Sequence, residues 1–319
     1  MSLFKNKSVL SVFYHIETEI KKAEGTACFQ QIPLENIFWV DLHFPTDDEK
    51  RKVQSVFTIN FDQLKSEIEI ESNTRFYETD DFVFVSLNFT ALKENNFEST
   101  PVFLYLLDNV LITERIADLA TFAEITRKIT RNRKAFKNGS DVLEGILESK
   151  FDVDADYIEQ MGKNIAAAGR HLSFREDVDI EEMVLKIGKY QEATTFSREG
   201  FVNKQRVASA LLKSNAFENK ERLKILIKDI NTMLDYTSFI FVRLEYLQSL
   251  LNIEQNKMIK IFTIVAVTIM PPTLIASIFG MNFKYMPGIN WTLGYPLAIL
   301  LIIGSSLITL YIFKRKKWL

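Results

Sequence analysis

Toward the C-terminus, Ser249, Asn252, Asn256, Ile259, Thr263, Ala266, Met270, Thr273, Ser277 and Gly280 recur at steps of three and four, which places them on one face of a helix. That face is small or polar through much of an otherwise apolar segment. Side chains of this kind can line an aqueous path. They can equally mark helix packing, because small residues let backbones approach and Ser or Thr hydroxyls bond their own helix. The residues alone leave both readings open. The stripe closes at Gly280, Met281 and Asn282, a helix-stop composition, and a second apolar run follows a short loop.

Other chemistry finds little support. Cys28 is the single cysteine, so no intramolecular disulfide is expected and the residue reads as packing in a reducing compartment. His15, His43 and His171 are scattered, with no Cys or carboxylate cluster at metal-ligand spacing around them. No phosphate-binding glycine loop occurs. The charges nearly balance, 39 Lys and Arg against 41 Asp and Glu, and nucleic acid is not an expected partner. Neither an enzyme nor a permanently bound cofactor is expected.

The lengths of the apolar runs say more. Residues 261–283 and 292–313 carry no charge, and each approximates the ~20 helical residues that cross a ~30 Å hydrocarbon layer. Two transmembrane helices are expected, over about residues 261–281 and 292–313. Lys257 and Lys260 precede the first; Lys314, Arg315, Lys316 and Lys317 follow the second; the loop between has only Lys284. Basic flanks stay cytoplasmic, so a multi-pass protein of the plasma (inner) membrane with both termini inside is expected. Trp291, Tyr295 and Trp318 suit interfacial anchors. The opening "MSLFKNKSVL" lacks the apolar core of a signal peptide, which agrees with a cytosolic N-terminal part. Two spans cannot enclose water, so a pore requires an oligomer with the first span inside.

The remaining sequence must position that span. "VLSVFYHI", "IFWVDLHF", "DDFVFVSLNF" and "PVFLYLLDNVLITERI" are strand-like, with a hairpin turn at Asp108-Asn109, and Thr46 with Glu49 forms a capping box for a helix to about Phe57. From Pro101 to Pro271 there is no proline. Helices are expected over 117–136, over 141–171 behind a Ser140 cap, and over 180–213, with "REDVDIEE" as a solvated helix start. From Asn215, capped with Glu218, one helix is expected to continue for ~65 residues, ~100 Å at helical rise. Leu223, Leu226, Ile230, Met233, Thr237, Ile240, Leu244, Leu247 and Leu251 keep a heptad-like spacing along it, with Thr237 the polar member. The expected organisation is a cytosolic α/β domain over 1–116, a helical and stalk region over 117–256 and a transmembrane domain over 257–319.

Gly280-Met281-Asn282-Phe283, then Met286-Pro287, together with the stretch from Asn256 to Lys260 and the terminal "KRKKWL", resembles the CorA family of magnesium transporters. The local match covers roughly the last quarter of the chain, and the order of α/β then helical segments agrees over the rest. The resemblance implies an α+β membrane protein, a funnel-shaped homopentamer whose stalk helices continue into pore-lining first spans. It implies that five copies of Asn282, with Gly280 and Met281, form an outer selectivity ring for a hydrated divalent cation. Such a ring suits Mg2+, which dehydrates reluctantly and prefers oxygen ligands. By the same resemblance Asn256, Ile259, Met270 and Thr273 fall on pore positions, joined by Thr263, Ala266 and Ser277 of the stripe, and Phe262 on a hydrophobic gate. Glu221 falls near an acidic regulatory position between protomers, where Mg2+ would regulate as well as be carried; Leu92 stands at the closer match for a partner acid, with Glu94 nearby.

Several residues depart from the family pattern. Phe279 replaces a usual tyrosine, Pro271-Pro272 a single proline, and Gly288 an acid after Pro287, while Lys284 adds positive charge to the loop. The implied function is Mg2+ influx. Transport of zinc, cobalt or nickel by the same fold, and a membrane-anchored coiled-coil scaffold, are the alternatives.

Overall fold

Strand β3 (Ile37–His43) is buried from Ile37 through Leu42, the signature of a strand covered on both faces. It lies inside a seven-stranded sheet of order β2-β1-β3-β7-β6-β5-β4. The others are β1 (Val9–Ile16), β2 (Glu19–Glu24), β4 (Phe76–Glu78), β5 (Phe82–Lys93), β6 (Asn96–Leu107) and β7 (Val110–Arg115). β3 pairs in parallel with β7, whereas the remaining neighbours are antiparallel. The expected turn joins β6 to β7, with Asp108 at φ 43° and Leu107 opposite Val110. The computed structural model describes residues 8–17, 19–63, 75–93, 96–174, 179–217, 220–281, 291–316 and 318.

Trp39 anchors the sheet. Its ring stacks on Phe13 at 4.3 Å, and its Nε1 donates to Thr113 Oγ1 at 3.1 Å. Thr113 in turn donates to Asp41 Oδ1 at 2.8 Å, so the buried polar groups on β3 and β7 satisfy one another. Two short helical segments near the sheet, α1 (Cys28–Gln31) and α2 (Asp47–Phe57), precede the longer helices. The Thr46–Glu49 capping box forms as expected and opens α2. Cys28 is buried and donates to the Gly25 carbonyl at 2.7 Å, and burial raises its thiol, consistent with a packing role.

Helix α3 (Ala120–Arg131) is shorter than the expected 117–136, because residues 116–119 are non-helical and Arg133–Ala135 tightens into a 3-10 turn. Helix α4 (Gly139–Phe174) is capped by Asn138, not Ser140: Asn138 Oδ1 accepts from the Asp141 N–H at 3.0 Å and from the Ser140 hydroxyl at 2.9 Å. Helix α5 (Ile180–Lys213) matches its expected span, and Asp179 caps it by accepting from the Glu181 and Glu182 N–H groups. Residues 175–178 of the acidic run lie outside the described residues.

Helix α6 (Glu221–Phe279) contains 59 residues, ~88 Å at helical rise. It begins at Glu221 rather than Asn215. Ser214 Oγ accepts from the Ala216 N–H, holding 214–216 in a turn instead, and Glu218 lies outside the described residues. α6 passes through Pro271 and Pro272 without interruption, and α7 (Gly294–Arg315) follows.

The chain divides into two compact units, Met1–Ala167 with Lys189–Arg243, and Ala168–Gly188 with Leu244–Leu319. In the first, Leu223, Leu226, Ile230, Thr237 and Ile240 of the heptad stripe are buried and Met233 is half-buried. Thr237, the polar exception, donates to the Leu234 carbonyl and accepts from Arg198 Nη1 of α5 at 3.2 Å. A Cβ on Gly162 of α4 would overlap the Tyr236 hydroxyl of α6, so this glycine permits a close helix approach. In the second unit Leu244, Leu247 and Leu251 continue the buried stripe.

Candidate ion pathway

The apolar part of α6 begins at Ile261, after a largely polar stretch of nine residues that follows the heptad stripe. Beyond Leu251, Ile264 is the one residue of α6 in the buried hydrophobic set, among the described residues. Both α6 and α7 are long and apolar enough to cross a membrane, yet only 6% of the most apolar window of each is buried. A core helix of a soluble domain would bury that surface against protein. These two helices instead present it outward, as lipid-facing or oligomer-facing helices do.

Asn256, Ile259, Thr263, Ala266, Met270, Thr273 and Ser277 all lie on exposed positions of α6. The seven share one face by their spacing, and Ile261, Val265, Ile269 and Leu274 around it are exposed as well. Phe262, beside that face, is 74% exposed. Thr263 donates to the Ile259 carbonyl at 2.8 Å and Thr273 to the Ile269 carbonyl at 2.9 Å. Those bonds satisfy each hydroxyl proton and leave oxygen lone pairs available as acceptors. Packed helices form the same bonds.

α6 ends one residue before Gly280. The Gly280 N–H donates to the Ala276 carbonyl at 2.9 Å and the Met281 N–H to the Ile278 carbonyl at 3.3 Å. Gly25, not Gly280, is the glycine with positive φ among the described residues. The glycine at the motif is thus not serving as a left-handed helix stop. A Cβ there would approach the Ala276 carbonyl to 3.2 Å, a tight contact that glycine avoids. Gly280 and Met281 are exposed, whereas Asn282, Lys284 and Gly288 lie outside the described residues.

Glu221 opens α6 and pairs with Lys224, Oε1 to Nζ at 2.6 Å, with both side chains largely exposed. No group of three or more His, Cys, Asp or Glu side chains suited to a metal occurs among the described residues. Three ionic clusters at the helix and sheet contacts were not visible in the sequence. Asp41 pairs with Arg115; Asp154 bridges Lys150 and Lys204; Arg222 meets Glu144 and Glu148. The Lys150–Asp154 and Glu144–Glu148 spacings of four were the available signal, but neither spacing names the partner on another helix.

A mixed sheet, a long helix that turns apolar without a break, and a second apolar helix define an integral membrane protein with a large polar N-terminal part. Residues 35–315 match the model of the CorA-like Mg2+ transporter protein family. The chain is 36% identical over 296 residues to the magnesium transport protein CorA of Wolinella succinogenes, covering 89% of this chain and 92% of that one. It is 30% identical over 290 residues to the magnesium transport protein CorA of Helicobacter pylori, covering 89% and 91%. The solved complete structure of the CorA magnesium transporter from Methanocaldococcus jannaschii shares the fold, with a TM-score of 0.71 at 20% identity over 98% of each chain. The chain belongs to the CorA-like Mg2+ transporter family.

Proposed function

We propose that the protein carries divalent cations, Mg2+ foremost, passively into the cell through a homopentameric pore in the plasma membrane. The observation that carries this reading is the small and polar face of α6 from Asn256 to Ser277, on a helix continuous with the stalk. Five such faces would enclose the path that two spans cannot. In this reading Ile259, Met270 and Ala266 line it, Asn256, Thr263, Thr273 and Ser277 supply uncharged oxygens, and Phe262 closes it.

Gly280, Met281 and Asn282 form the outer ring. Amide oxygens can hold a hydrated Mg2+ through its water shell, and their lack of charge permits release. An inside-negative potential of 100 mV supplies about 4.6 kcal/mol for a divalent ion, enough for inward flow without ATP. Both termini are cytoplasmic in this arrangement, with an α/β domain over 1–116, a stalk region over 117–256 and the membrane domain from 257. Mg2+ also regulates: on the inner side it binds near Glu221 between protomers, displacing Lys224 and holding the stalks closed.

Zinc, cobalt or nickel transport by the same fold is the second reading, because Gly288 stands where the family has an acid and Lys284 adds positive charge, a departure from the family's magnesium pattern. Flux into vesicles containing the purified chain tests both. Mg2+ influx that persists against the other three ions supports the first reading; preferred uptake of one of those ions supports the second. No divalent flux from a correctly assembled oligomer rejects both and leaves a membrane-anchored scaffold.

A further inference from the structure

Glu144 and Glu148, one turn apart on α4, both meet Arg222 in the first turn of α6. The guanidinium gives its fork to Glu148: Nε donates to Oε1 at 2.9 Å and Nη2 to Oε2 at 2.6 Å. Among the described residues Glu144 has only the ion-pair contact of Arg222 Nη1, 3.3 Å from its Oε2, although its side chain is just 6% exposed. Two carboxylates therefore share one cation. With both ionised, the helix junction would hold a buried surplus of negative charge, and the more buried carboxylate is the one with the poorer partner. Buried charge is tolerated only when paired and hydrogen-bonded.

We propose that Glu144, Glu148 and Arg222 form a proton-responsive latch that fastens the first turn of the stalk helix α6 to α4. With Glu144 protonated, Arg222 and Glu148 make a neutral forked pair and the latch is closed. With Glu144 ionised, the surplus charge loosens it. The charged groups facing Glu144 are Arg222 from α6 and Glu148 and Asp141 from α4. Burial dominates; Arg222 opposes it and the two acids reinforce it, so the Glu144 carboxyl is raised from 4.5 to about 7. The closed latch thus holds a proton that an opened, solvated Glu144 would release. Closure is favoured in acid, and that preference is lost as pH rises from about 4.5 through about 7.

The latch rests on the α4–α6 contact and stands whether or not the chain transports ions; its effect on flux rests on the proposed function. Hydrogen exchange on the full-length chain in lipid, corrected for the intrinsic pH dependence, reads the latch directly. Between pH 6 and pH 8, protection of residues 141–148 and 221–226 should fall about tenfold, the change in weight for a group titrating near 7. Glu144→Gln, which fixes the neutral form, should retain high protection at both pH values. Glu148→Gln removes one of the two acids that reinforce burial and should shrink the fall without abolishing it, so it reads the same latch if Glu144→Gln misfolds. Equal pH ratios in wild type and both variants would overturn the latch. Mg2+ influx into vesicles at inside pH 6 and 8 should differ for wild type and not for Glu144→Gln. Equal flux ratios alongside altered exchange would overturn the regulatory role, whereas absence of flux in every form would strike the transport reading and leave the latch standing.

Discussion

Arg115 grips Asp41 across the parallel pair β3 and β7, Nη2 to Oδ2 at 2.9 Å and Nε to Oδ1 at 3.2 Å, while its guanidinium carbon lies 4.5 Å from the centre of the Phe122 ring. One side chain therefore neutralises a buried acid and covers an aromatic face of α3. Arg115→Ala should cost the first unit about 3–5 kcal/mol, because it strands the Asp41 carboxylate with Thr113 as its remaining side-chain donor. Denaturant unfolding followed by tryptophan fluorescence at Trp39 measures this. A loss below about 1 kcal/mol, the range of a surface pair, would contradict the structural role.

The close passage of α4 and α6 gives a reciprocal prediction. Gly162→Ala should destabilise by about 1–3 kcal/mol, since the Tyr236 hydroxyl must move and Tyr236 also stacks with Phe239. Tyr236→Phe removes the clashing oxygen and should recover part of the loss in the double variant. Additive losses in the double-mutant cycle would show that the two positions do not interact.

Asp154 holds two buried lysines, Lys150 at 2.6 Å and Lys204 in closer contact. Burial acts to raise its carboxyl, but Lys204 and Lys150 outweigh burial and hold it below the usual 3.8. A depressed carboxylate contributes stability that is present above the unfolded value and lost as pH falls through the folded one. Asp154→Asn should therefore cost about 3–5 kcal/mol at neutral pH, and its penalty should shrink below about pH 3.8. A penalty independent of pH would assign the effect to shape instead of charge.

At the outer ring, Asn282→Ala should abolish divalent flux while leaving the oligomer intact, because the proposed ion ligand is the amide oxygen. Vesicle uptake beside size analysis in detergent checks both parts. Wild-type uptake by a correctly assembled variant removes Asn282 from the mechanism.

Gly288→Glu, and more strongly its combination with Lys284→Glu, should raise influx at low external Mg2+ and low ionic strength and change it little at saturation. Rings of charge alter local ion supply over ~10 Å at ~0.1 M salt. Equal influx by wild type and the double variant at low salt would mean that Lys284 points away from the mouth.

The features most legible in the sequence were those written in local periodicity. β1, the Asp108-Asn109 turn, the Thr46–Glu49 box, α5 and the heptad stripe emerged where residue spacing placed them. β2 was not legible, since "EIKKAE" has neither apolar alternation nor β-branched density and is held as an edge by its pairing with β1. Boundaries failed where a neighbouring side chain competed for the cap, as Asn138 did with Ser140 and Ser214 with Asn215. The small and polar face of α6 was readable from Asn256 to Ser277 by step alone. The Arg222 and Asp154 clusters were not, because each joins residues tens of positions apart in sequence, beyond any local spacing rule.

The two prolines inside α6 impose a condition on its surroundings. Residues 271 and 272 supply no N–H, so the Val267 carbonyl lacks its donor four residues on, and the Thr268 carbonyl lacks the donors both three and four residues on. In hydrocarbon an unpaired carbonyl costs several kcal/mol. A slight tightening toward 3-10 bonding would offer the Val267 carbonyl the Met270 N–H, whereas Thr268 needs its partner from a neighbouring helix, a side chain or water, which makes this turn the point of α6 most sensitive to what surrounds it.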